Sequence, residues 1–156
     1  MRTAMRTAMR TALALTVMAL ATTARAAELP QYVKGPVSGL VYDCRQARQT
    51  APKPETYVTA GDLDGDGQPD HVVDVQKGCQ ANRDLYCNAE GCTIDVYLSS
   101  QSGQAGSFRA KSFRIDTSSS KPALVVAARG KDCPASQAEG CSVAYVFDGK
   151  AFVVRP

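Results

Sequence analysis

Counted from Asp62, the carboxylates of Asp62, Asp64, Asp66 and Asp70 fall at positions 1, 3, 5 and 9 of a single short loop. This is the ligand spacing of a cation-binding turn. Gln68 can offer its side-chain carbonyl from position 7, and Gly67 stands at position 6, where such loops bend sharply. Carboxylates packed this tightly repel one another, and a hard divalent cation that accepts several oxygens relieves the repulsion. No His or Cys cluster adjoins the loop, which argues against a transition metal and for Ca2+. Asp62, Asp64, Asp66, Gln68 and Asp70 are therefore the expected calcium ligands. The competing reading is a solvated turn without an ion, because Asp and Gly are also ordinary turn residues. Regular spacing across five positions favours the ion.

Other chemistry has weaker support. His71 is the only histidine and has no nucleophile beside it in sequence, so a polar strand residue is expected rather than a catalytic base. A Gly-x-Ser-x-Gly elbow, a phosphate-binding glycine loop and a zinc-hydrolase motif are all missing. Asp70, Asp74 and Asp95 have no spacing that marks them as an acid/base pair. The six tyrosines sit mostly at strand-compatible positions and read as packing residues.

The six cysteines, Cys44, Cys79, Cys87, Cys92, Cys133 and Cys141, contain no C-x-x-C pair and lack histidine partners, which disfavours zinc. Three disulfides are expected. Turn residues between Cys133 and Cys141 favour that pair, and the short Asn-Ala-Glu-Gly segment favours Cys87 with Cys92, leaving Cys44 with Cys79. Sequence alone does not exclude the other connectivities.

The elements that must position these residues begin after residue 26. Arg2, Arg6 and Arg10 supply a positive n-region, Ala12 to Ala21 an apolar core, and Ala24-Arg25-Ala26 a cleavage site, so residues 1–26 read as a signal peptide. The threefold Met-Arg-Thr-Ala repeat is too short for a solenoid; it reads as a small duplication or as alternative starts at Met5 or Met9. Residues 27–56 are expected to form an extended arm to Gly39 and one short helix, capped by Ser38 and carrying Leu40, Val41, Cys44 and Ala47. It is the only helix expected. Residues 57–156 read as a β domain that contains the loop at 62–70. There Ile94, Val96 and Leu98 share one strand face, as do Phe113 and Ile115, and Leu124, Val126 and Ala128. Val143, Tyr145 and Phe147 enter a hairpin turned by Asp148-Gly149 and leaving through Phe152 and Val154. The predicted fold is mainly β: six or seven antiparallel strands in a small sheet or two-layer domain, disulfide-stapled, with the short N-terminal helix on one face.

The flanks of the acidic loop distinguish it from an EF-hand. Position 12 is Val73 rather than Glu, position 8 is Pro69, and His71-Val-Val-Asp-Val75 is a β-type run. Gly61 to Val73, followed by Asp95-Val-Tyr-Leu98 and Gly106-Ser-Phe108, resembles the FG-GAP/VCBS repeats that carry calcium in β-propellers. The resemblance implies a calcium loop between strands. With one acidic loop and a cysteine-bearing insertion from Lys77 to Cys92, a single copy is expected instead of a ring of blades. The whole pattern also resembles small secreted bacterial proteins with one such loop and several cysteines, which implies no activity.

Removing residues 1–26 takes four basic side chains and no acidic one, and the net charge falls from +3 to −1. A nucleic-acid partner is therefore not expected. No later stretch is apolar enough to span a membrane. Arg109, Lys111, Arg114, Lys121, Arg129 and Lys131 make the C-terminal part positive, as solvated strand faces or as a meeting point for an anionic glycan or acidic protein. The sequence thus points to a periplasmic or secreted, calcium-binding, non-catalytic interaction module whose partner is an envelope or extracellular protein or glycan. The alternative is a small envelope-polymer hydrolase or hydrolase inhibitor.

Overall fold

The structure is a computed structural model that describes residues 28–101, 103–129, 133 and 140–155. The expected signal peptide, Lys131 and most of the segment between Cys133 and Cys141 lie outside the described residues. The chain runs through α1 (Gln31–Gln46), a 3₁₀ turn (Pro54–Tyr57), β1 (Val58–Gly61), β2 (Asp70–Asp74), a second 3₁₀ turn (Val75–Lys77), α2 (Gln80–Tyr86), β3 (Cys87–Asn88) and β4 (Gly91–Leu98). β5 (Gly103–Ala110), β6 (Ser112–Asp116), β7 (Ala123–Ala128), β8 (Cys141–Phe147) and β9 (Phe152–Val154) follow. The fold is mainly β.

Every strand pairing is antiparallel. The first sheet has the order β1-β2-β4-β3 with β5 also on β4, and the second has the order β6-β7-β8-β9. Alternation decides what each face of the first sheet covers. Val72, Ile94, Val96 and Leu98 turn to one side and pack with Leu124, Val126 and Val143 of the second sheet. Val73 and Tyr97 turn to the other and pack with Val33, Val37 and Leu40 of α1. The result is three layers, helix on sheet on sheet.

The N-terminal helix is longer than expected. It starts at Gln31, directly after Pro30, and contains Pro36, where an extended arm was predicted. Pro36 lacks a donor and costs roughly 3 kcal/mol inside a helix. Val33, Val37, Leu40 and Cys44, spaced four, three and four apart, are all buried, and burying each apolar side chain contributes about 1.5 to 3 kcal/mol. Packing therefore outweighs local preference.

A second helix, α2, was not expected, because its sequence has no apolar stripe. Tertiary partners hold it instead. The Cys44–Cys79 disulfide ties its first turn to α1, and the fully buried Asn82 donates from Nδ2 to the Leu40 carbonyl (3.0 Å) while its Oδ1 accepts the Tyr57 hydroxyl (3.1 Å). Disulfides also join Cys87 with Cys92 across β3 and β4, and Cys133 with Cys141. The β8–β9 hairpin turns at Asp148-Gly149: Gly149 has φ 98°, and the Asp148 carboxylate accepts the Lys150 and Ala151 N–H groups.

The two sheets come into close contact where the acidic loop leaves β1. A methyl group added at Gly61 would lie 2.7 Å from Ile115 Cδ1. Gly61→Ala is expected to cost about 1 to 2 kcal/mol by overpacking. Ile115→Val removes that Cδ1, so in a double-mutant cycle read by urea unfolding it should recover much of the loss. Additive losses would mean that the contact is not the cause.

Candidate metal centre

β1 and β2 are joined by the acidic loop, and the loop is anchored from both ends. Leu63, between the first two aspartates, is buried with Val72, Ile94 and Leu124 in the core between the sheets. This forces Asp62 and Asp64, its neighbours, outward to the same side of the loop. Gly65 and Gly67 have φ of 83° and 81°, a left-handed backbone that glycine adopts without steric cost.

The turn is stitched by its own carboxylates. Asp62 accepts the N–H groups of Gly65 (Oδ1, 2.6 Å) and Gly67 (Oδ2, 3.0 Å). Asp64 Oδ1 accepts from Asp66 N–H (3.1 Å), and Asp66 Oδ1 accepts from Gln68 N–H (2.7 Å). Asp70 opens β2 and is fully buried. Its Oδ2 accepts the Leu63 N–H at 2.7 Å and its Oδ1 the Ser99 N–H at 2.8 Å.

Ser99 and Ser100 belong to the β4–β5 turn, which closes over the loop. The Ser100 hydroxyl donates to Asp64 Oδ2 (2.6 Å) and the Ser99 hydroxyl to Asp66 Oδ2 (3.4 Å). Sequence reasoning missed both serines. They stand 29 or more residues from their partners, so no local spacing marks them; only a hydrophilic turn is legible there.

Of the five expected ligands, the structure brings Asp62, Asp64 and Asp70 together, with one oxygen from each inside a 4.8 Å envelope. Asp66 and Gln68 are exposed, and the Asp66 carboxylate does not join that group. The donor set fits calcium: oxygens bound at about 2.3 to 2.6 Å lie at most about 5 Å apart across the ion. A carboxylate oxygen that accepts one hydrogen bond retains a lone pair for a metal. Burial, reinforced by the nearby Asp64 charge, raises the Asp70 carboxyl above the usual range despite the Ser99 and Leu63 N–H groups. A cation seated among the three oxygens would favour the ionised form.

The strand register separates the remaining candidates. His71 and Asp95 face α1, because His71 pairs with Tyr97 and Val73 with Asp95, whereas Asp74 pairs with Ile94 on the opposite face. Asp95 therefore does not pair with Asp70 or Asp74 across a common cleft. His71 lies beside the Tyr32 ring, with Nδ1 3.4 Å from its hydroxyl, and burial lowers its pKa against the opposing pull of the Asp70 charge. Asp74 accepts the Gln76 N–H at 2.9 Å and shapes the 3₁₀ turn after β2. No protein-family model, curated protein or solved structure matches this chain.

Proposed function

We propose that the protein is an exported, calcium-stabilised, non-catalytic interaction module of the periplasm or extracellular space, with an envelope or extracellular protein or glycan as its partner. The convergence of Asp62, Asp64 and Asp70 on one 4.8 Å envelope carries the reading. The single-copy resemblance of Gly61 to Val73 to calcium-bearing FG-GAP/VCBS loops supports the same ion. Three disulfides fit an oxidising compartment, and among the described residues no helix is long and apolar enough to cross a membrane. Calcium bound there would hold the β1–β2 loop against the β4–β5 turn and so preorganise two loops on a rigid scaffold.

Thermal melting in EDTA, calcium and magnesium tests the proposal. The loop lacks the bidentate Glu of a tight EF-hand, so dissociation constants of roughly 10⁻⁴ to 10⁻³ M are expected. At about 1 mM calcium, linkage contributes about 0.4 to 1.4 kcal/mol, and the Tm should rise by about 2 to 8 °C. Asp64→Ala should abolish that rise. Asp66→Ala should keep part of it, because its carboxylate lies outside the three-oxygen group. Magnesium should substitute poorly, since its small octahedral shell sheds water reluctantly. Equal melting in all three media, with no calcium heat by calorimetry, would overturn the calcium assignment.

A further inference from the structure

On the face of the first sheet opposite the metal centre, α1 leaves part of the sheet uncovered. A cleft of about 200 Å³ opens there, lined on its accessible side by Pro36, Gly39, Tyr86 and Thr93, with Asp95 as its charged residue. Among the described residues, leaving aside its chain neighbours and the adjacent backbone of α1, nothing lies within 4 Å of where a Gly39 side chain would start. We propose that this cleft takes the side chain of a lysine from a partner protein, its aliphatic stem against Pro36 and Tyr86 and its ammonium on Asp95.

Charge complementarity selects the occupant. Asp95 is half-buried and, among the described residues, no lysine or arginine forms an ion pair with it. Its hydrogen-bond partners are neutral: Gln104 Nε2 donates to Oδ1 at 3.0 Å, and the Ser107 hydroxyl across the strand pair also bonds it. Arg109, the basic residue further along β5 on this face, directs its Nη1 to the Tyr86 carbonyl (2.7 Å). Asp43 adds negative charge beside the cleft, holding the Tyr86 hydroxyl at 2.9 Å. Burial raises the Asp95 carboxyl, and Tyr97 beside it is pushed up to about 12, chiefly by burial and then by the Asp95 charge. A half-buried carboxylate held only by neutral donors gains from a nearby cation.

Geometry prefers lysine to arginine. Gln104 and Ser107 already occupy part of the Asp95 carboxylate, so a compact ammonium, which needs a single remaining lone pair, fits more readily than a two-pronged guanidinium fork that needs both oxygens in one plane. The cleft is smaller than the roughly 300 to 1,000 Å³ of small-molecule sites, and suits one side chain. Tyr42 and Leu85, which precede Asp43 and Tyr86 on α1 and α2, are 60% and 64% exposed. Large exposed apolar side chains around a buried anchor are the usual make-up of a protein interface.

The inference shares with the proposed function only that the protein binds, and it does not require calcium. The test is an NMR titration with millimolar Nα-acetyl-lysine methylamide, its norleucine counterpart and its arginine counterpart, in EDTA and again in calcium. The lysine probe should shift the amides of Leu40, Val73 and Asp95 saturably and equally in both media, with weaker responses to the other two. Asp95→Asn should weaken the lysine response at least about tenfold. The same variant should melt at or above the wild-type temperature at pH 7, which shows that it is folded. The sign follows from the raised carboxyl: its contribution to stability is present below about pH 4 and is lost as the pH rises through the folded pKa. Removing the charge therefore favours the fold at neutral pH. Equal binding by norleucine, unchanged binding by Asp95→Asn, a response confined to calcium, or no response at all would each overturn the inference. None of these outcomes bears on whether the β1–β2 loop holds calcium.

Discussion

Asp70→Ala is expected to destabilise the protein by about 3 kcal/mol in EDTA, because it leaves two N–H groups without their acceptor. Asp70 is completely buried, and its two oxygens separately receive the Leu63 and Ser99 N–H groups. Each donor left unpaired in the interior costs about 1 to 3 kcal/mol. Removing a carboxylate that burial disfavours returns part of that, since its raised pKa marks an ionised form held at a cost. The stranded donors win because they belong to the backbone of two different turns, neither of which can leave without dragging a core residue, Leu63 or Leu98, with it. Asp70→Asn should cost about 2 kcal/mol, since an amide offers one acceptor and turns a donor toward the second N–H. Asp64→Ala is the control: its carboxylate lies at the surface of the loop, so most of its effect should appear only in calcium. Urea unfolding in EDTA separates the cases. A loss below about 1 kcal/mol for Asp70→Ala would show that the two turns hold together without it.

The second large effect is expected from removing the Cys44–Cys79 bridge. It spans 35 residues, and the chain-entropy relation assigns such a loop about 4 kcal/mol, against about 2 kcal/mol for the five-residue span of Cys87–Cys92. Position adds to length. Cys79 precedes α2, and the buried Asn82 one turn later reaches back to α1 and Tyr57. α2 is only 7 residues long and too short to persist alone in water. The double variant Cys44→Ala/Cys79→Ala should therefore lose hydrogen-exchange protection across Gln80–Tyr86 ahead of the sheets, and should unfold at much lower urea than Cys87→Ala/Cys92→Ala. If the short bridge proves the more costly to remove, the ordering by loop length is wrong for this protein.

Much of the fold is legible in the chain because its signals are local. Asp148-Gly149 sets a hairpin by turn chemistry, and the alternation of Ile94, Val96 and Leu98 marks a buried strand face. The acidic loop is visible for the same reason: Asp62, Asp64 and Asp66 repeat every second residue around two glycines, so a turn rich in carboxylates follows from the residues themselves. Local signals also mislead where burial opposes them. Gly35, Pro36 and Gly39 read as an extended arm, yet Val33 and Val37 are worth more against Val73 and Tyr97 than those three residues cost.

Composition, turn chemistry and apolar spacing thus determine a mainly β chain with an acidic turn between two strands and an even set of cysteines. Tertiary structure decides which of these residues meet. Ser99 and Ser100 reach the loop only because β4 lies beside β2, and Asp70, rather than the more central Asp66, becomes the clasp because it is the one that enters the strand. The same register turns Asp95 away from Asp70 and Asp74 and toward α1. A strand's two faces differ by a single residue of pairing, and that offset is set by packing across the whole sheet, which no stretch of sequence contains.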